Sequence, residues 1–78
     1  MDNLAGERNL LWLNARIEET ETRIIAAKKR LAEIESQGDS TAQACRILAV
    51  TANYLNILNI RRDLLLDKLR GHREQAGQ

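Results

Sequence analysis

The sequence predicts an all-α fold in which two long helices fold back on one another as an antiparallel hairpin. Three observations lead there. Proline is absent and glycine occurs only at positions 6, 38, 71 and 77, so little interrupts a helix. Apolar residues recur at alternating steps of three and four, and strand-like alternation persists nowhere. One cluster of turn-forming residues, ESQGDSTAQ at 35–43, divides the chain near its middle.

The first helix is expected over about 4–36. Its apolar positions are Leu10, Leu13, Ile17, Ile24, Ala27, Leu31 and Ile34, with Thr20 in the one missing place of the heptad stripe. A turn over 37–39 follows. Gly38 suits the left-handed residue that ends a helix, and Asp39 or Ser40 suits the cap of the next; Ser40 with Gln43 fits a capping box. The second helix is expected over about 40–70, with Ala44, Leu48, Thr51, Leu55, Leu58, Leu65 and Leu69 as its stripe and Arg62 intruding at one place. Gly71 is expected to end that helix and leave 71–78 as a flexible tail, so that 1–78 form a single hairpin domain.

The turn Gly38-Asp39-Ser40-Thr41, followed by Ala44 and Leu48 and then RRDLLLDKL at 61–69, resembles a group of short, uncharacterised bacterial helical-hairpin proteins. Those consist of a charged helix, a Gly-x-Asp/Ser-Thr-type turn and a helix ending in Arg-Asp-x-Leu-Leu. The resemblance covers most of the chain and implies the hairpin fold; it implies no activity, ligand or catalytic residue.

Composition narrows the function classes. Seventy-eight residues make one small domain, a size at which a single core needs reinforcement by disulfides, a metal or another subunit. Cys45 is the only cysteine and His72 the only histidine, which excludes a disulfide framework and a histidine-based metal cluster. Oligomerisation is left. Twelve Lys+Arg against 11 Asp+Glu give a net charge of +1, too little to recruit nucleic acid or anionic lipid by global field. Uninterrupted apolar runs are short and the N-terminus carries no secretory pattern, so a cytoplasmic protein with no membrane partner is expected.

The hairpin seam does not use up the apolar residues. At 100° per residue Ile47, Val50, Tyr54 and Ile57 flank the second stripe, with Ile60 and Leu64 further round. Leu11, Trp12 and Ile25 lie off the first stripe, and the surplus is richest at the open end around Leu11, Trp12, Ile57, Ile60 and Leu64. Such a surplus marks a protein interface. The expected contact residues are Leu11, Trp12, Ile47, Val50, Tyr54, Ile57, Ile60 and Leu64. The expected partner is a second copy, giving a four-helix bundle, or a helix of another protein. Tyr54 should pack with its hydroxyl at a rim, and Cys45 should act as a small buried filler.

Chemistry is sparse. There is no Gly-rich phosphate loop, no Cys/His ligand spacing and no Ser/His/Asp set, so neither catalytic residues nor a cofactor, metal or small-molecule substrate is assigned and the protein is read as non-enzymatic. A small helical mutase of the chorismate-rearranging kind would need arginines and a lysine around an interhelical pocket; Arg16, Lys28 and Arg62 do not match that spacing. Arg62 is read as snorkelling, or paired across the hairpin with Glu18 and Glu19. The alternative reading is nucleic-acid binding through Lys28, Lys29, Arg30 and Arg46 near the turn, or through the basic residues of 61–73. Interleaved acids and few aromatics argue against it.

Asn53, Asn56 and Asn59 interrupt the second helix in steps of three. Each step falls about 60° short of a full turn, so the series drifts off the seam. Asn53 and Asn56 are expected in water and Asn59 at the seam boundary, near Ile17 and Thr20.

Overall fold

The computed structural model describes residues 2–76, and side chains from Ala5 to Gly71. Two α-helices of 35 residues each, α1 (Asp2–Ser36) and α2 (Ala42–Ala76), pack side by side along a molecule 63 Å long and 14 Å wide. No helix among the described residues is long and apolar enough to cross a membrane.

The heptad stripes meet as expected. Leu13, Ile17 and Leu58 are buried, with Leu55, Tyr54 and Leu65 packed against them. All other stripe positions, from Leu10 to Ile34 on α1 and from Ala44 to Leu69 on α2, are at least half-shielded. Thr20 fills its gap in the stripe at only 2% exposure, because its hydroxyl donates to the Arg16 carbonyl one turn back at 2.7 Å. Thr51 does the same to Ile47, also at 2.7 Å. At the open end Gly6 leaves room for Leu69, since a Cβ there would stand 2.8 Å from Leu69 Cδ2.

Backbone hydrogen bonds shape the turn. Gly38 takes φ +76°. Its N–H donates to Glu35 O at 3.1 Å while Asp39 N–H reaches back to Ile34 O at 3.2 Å, the paired bonds of a Schellman motif. The cap of α2 lies one residue later than the capping-box reading. Thr41 O accepts the first helical bond, from Cys45 N at 2.8 Å, and Ser40 Oγ accepts from Ala42 N at 3.4 Å. The non-helical connection is therefore 37–41 rather than 37–39.

The far end also differs. α2 runs through Gly71 to Ala76 instead of stopping at 70. Gly71 has no positive φ and no neighbour within 4 Å, so nothing draws the chain into a left-handed cap there. Glycine weakens a helix by about 1 kcal/mol but does not end it without such bonds. Of the expected tail, Gly77 and Gln78 lie outside the described residues.

Candidate functional site

With the seam filled, the face left over on each helix is defined by its neighbouring positions. Counting one residue back from every stripe position of α2 gives a second 3-4 stripe: Gln43, Ile47, Val50, Tyr54, Ile57, Arg61, Leu64 and Lys68. One residue is about 100° of rotation, so α2 presents two seams at roughly a right angle, the inner one closed by α1 and the outer one open. Val50 is 70% exposed, Leu64 58%, Ile47 53% and Ile57 41%. Tyr54 is the exception. It is half-buried against the core and belongs to both stripes.

The same step on α1 gives Asn9, Trp12, Arg16, Glu19, Arg23, Ala26, Arg30 and Glu33. One contact shows that this row and the outer stripe of α2 lie on the same side of the hairpin. Arg16 Nε donates to Tyr54 Oη at 3.2 Å, joining the two rows across the helix pair. The face thus has two lanes. One is apolar, on α2; the other, on α1, carries Arg16, Arg23 and Arg30 at heptad intervals, with Trp12 exposed toward the open end.

Near the turn the lanes border an open groove of ≈ 260 Å³ lined by Ala27, Arg30, Ile34, Ser40, Gln43, Ala44 and Ile47. Its origin is in the sequence. Ala27 and Ala44 occupy stripe positions with a single methyl each, so the helices there enclose no packed core.

Electrostatics on this face centre on Arg16. Besides the Tyr54 bond, its Nη1 lies 3.2 Å from Glu19 Oε2, the one ion pair among the described residues. The Tyr54 hydrogen bond first, then the Glu19 carboxylate, push the guanidinium pKa upward, so its charge is fixed throughout the neutral range. The expected pairing of Glu18 and Glu19 with Arg62 does not form: Glu19 turns to its own helix, where a carboxylate and guanidinium three positions apart meet without bridging two helices. Arg62 keeps its stripe position half-shielded, with no carboxylate within 4 Å among the described residues, as a snorkelling arginine does.

Of the eight expected contact residues, Trp12, Ile47, Val50, Tyr54, Ile57 and Leu64 share this face, and Ile60 lies at its outer margin. Leu11 does not share it. Consecutive residues diverge by about 100°, which sends Leu11 to the opposite flank together with Ile25. On α2 that opposite flank carries Leu66, an exposed leucine that periodicity alone does not assign to an interface. Cys45 is exposed rather than buried, because the stripe position beside it is Ala44. Asn53 and Asn56 are exposed and Asn59 is half-shielded at the seam boundary, as their drift predicts.

The proposed basic contacts do not form a patch. Lys28, Lys29, Arg30 and Arg46 are all exposed, but the three consecutive ones fan round α1 and only Arg30 lines the groove. The side chain of Arg73, in the second basic cluster, and that of His72 lie outside the described residues. No group of three His, Cys, Asp or Glu among the described residues is placed to hold a metal ion. No family model, curated protein or solved structure matches the chain.

Proposed function

We propose that the chain is a non-enzymatic helix-packing module that works by self-association, two hairpins combining through the two-lane face into a four-helix bundle. The observation that carries this reading is the open outer stripe of α2. It repeats the spacing of the stripe that α1 covers, yet Ile47, Val50, Ile57 and Leu64 stand in water. A helix with two heptad seams at a right angle has the pattern of a helix with two neighbours, and the hairpin supplies one.

Size supports the same reading. Three buried apolar side chains, Leu13, Ile17 and Leu58, are a small core for a molecule with nine large exposed ones among its described residues. Closing the outer stripe adds the missing burial at about 25 cal/mol per Å² of apolar surface removed from water.

Size-exclusion chromatography with light scattering at micromolar concentration tests it, with a helical dimer of about twice 8.9 kDa expected. A stable, fully helical monomer would sink the proposal, because the outer stripe would then have no cover. Binding to nucleic acid has less support, since its basic residues point several ways. Absence of salt-sensitive binding to mixed DNA and RNA at low ionic strength would remove that alternative.

A further inference from the structure

We infer that the surface covering the two-lane face is the opposite flank of a second copy, so that hairpins stack front on back. This rests on the self-association proposed above and names the surface that meets the two-lane face.

The hairpin has two broad sides. The front is the two-lane face, one residue back from each stripe position. The back is the row one residue on, to which Leu11, Ile25 and Leu66 belong. Charge sorts onto these sides. The front carries Arg16, Arg23, Arg30, Arg61 and Lys68 against Glu19 and Glu33. The back carries Glu18, Glu21, Glu35 and Asp63 against Lys28 and Arg70. Only Arg16 and Glu19 form an ion pair within the chain among the described residues. The front is therefore net basic and the back net acidic, in a chain whose overall charge is only +1. Front on front, or back on back, sets an excess of one sign against itself. Only front on back joins opposite signs.

Shape on α2 agrees with charge. Ile47, Val50, Ile57 and Leu64 stand out from the front, all exposed. The back of the same helix presents Cys45, Ala49 and Ala52, which are small and exposed, followed by the uncharged Asn56 and Asn59. Large side chains set over small ones let two helices close without a gap. The back of α1 is a poorer bed, because the apolar lane would cover Glu18 and Glu21 and take their water. So α2 lies on α2 of the next copy, and the arginine lane of α1 lies on the glutamate row of the next α1.

This docking also covers what a front-on-front pair leaves in water. Leu11, Ile25 and Leu66 are exposed, and all three lie on the back. Each contact uses one front and one back, so a pair of hairpins still has one of each open. Contacts of this heterologous kind continue into a ring or an open stack. A dimer at micromolar concentration is then the first step of a longer series.

The test blocks one side of the full chain at a time. Val50→Glu puts an acid on the front, where it meets the acidic back. Ala49→Arg puts a base on the back, where it meets the basic front. Both positions are exposed, and circular dichroism checks that each variant stays helical. By light scattering each variant alone should self-associate about tenfold more weakly than the wild type. An equal mixture should recover a dimer that grows no further, because Ala49→Arg keeps its front and Val50→Glu its back. If Ala49→Arg alone dimerises like the wild type, fronts meet fronts; the inference falls and self-association stands. A mixture that stays monomeric, with both variants helical and the wild type associating, also overturns it. A monomeric wild type overturns both readings. Added salt gives a second readout: contact between unlike sides weakens as charges are screened, whereas tightening would show like sides in contact and overturn the stack.

Discussion

The two halves of the hairpin are built from the same heptad pattern and held by different means. Toward the middle and the open end the stripe carries leucine and isoleucine, and Leu13, Ile17, Thr20 and Leu58 are buried there. Toward the turn Ala27 and Ala44 interrupt a stripe of Leu31, Ile34 and Leu48, no residue is buried, and a groove opens between the helices. Order at that end comes from the backbone, through the left-handed Gly38 and the paired bonds of Gly38 and Asp39. A 3-4 stripe therefore aims side chains at a partner helix, but a core closes only where no alanine interrupts the large side chains facing one another.

The sharpest way to break this contrast is Leu58→Ala. At 1% exposure Leu58 is the most enclosed side chain among the described residues, and its loss should cost about 2–5 kcal/mol, enough to abolish most helical circular dichroism at room temperature. The equivalent truncation in the turn half, Ile34→Ala, removes a half-shielded side chain beside the groove and should cost well under half as much. Equal losses in urea melts at one fixed protein concentration would refute the polarised core.

A second pair probes the backbone. Gly38→Ala meets no atom within 4 Å, so its cost is conformational alone, about 1–2 kcal/mol for a left-handed alanine. Gly71→Ala, in a helix that continues past it, should stabilise by up to about 1 kcal/mol. Opposite signs of the shift in melting midpoint are the expected result. The smallest effect should come from Tyr54→Phe, which removes the acceptor for Arg16 at a half-buried rim and leaves the ring packed. Because the Arg16 pKa is raised, what this bond contributes persists below the ordinary arginine range and disappears only in strong alkali. Melts of the wild type and of the Tyr54→Phe variant should therefore differ by the same small amount at pH 6 and pH 9.

The sequence shows plainly which way each helix faces. Leu13, Ile17, Leu55 and Leu58 point inward because periodicity alone decides direction, and Asn53 and Asn56 point outward for the same reason. What periodicity does not contain is the choice among contacts of similar reach. Glu19 bonds Arg16 of its own helix, not Arg62 as simple levelling of charges suggested, because long side chains settle differences of a few ångströms. Helix ends behave likewise: Gly38 ends α1 and Gly71 does not end α2, since the bonds around a glycine, not the glycine itself, make the cap. On the face, Leu11 and Trp12 are neighbours in sequence and sit on different flanks. Only the Arg16–Tyr54 contact shows which flank is shared with the outer stripe of α2.

The positive φ of Gly38 also decides with whom each helix pairs. Were residues 37–41 all to take right-handed helical angles, Gly38 being the one whose φ must change sign, α1 and α2 would join into one rod of about 110 Å. Two such rods, crossing at residue 38, would remake every seam contact between chains instead of within one. The backbone of this short turn thus separates a chain that closes on itself from one that exchanges halves with its neighbour, and exchanged dimers that outlast dilution are what Gly38→Ala should reveal on a sizing column.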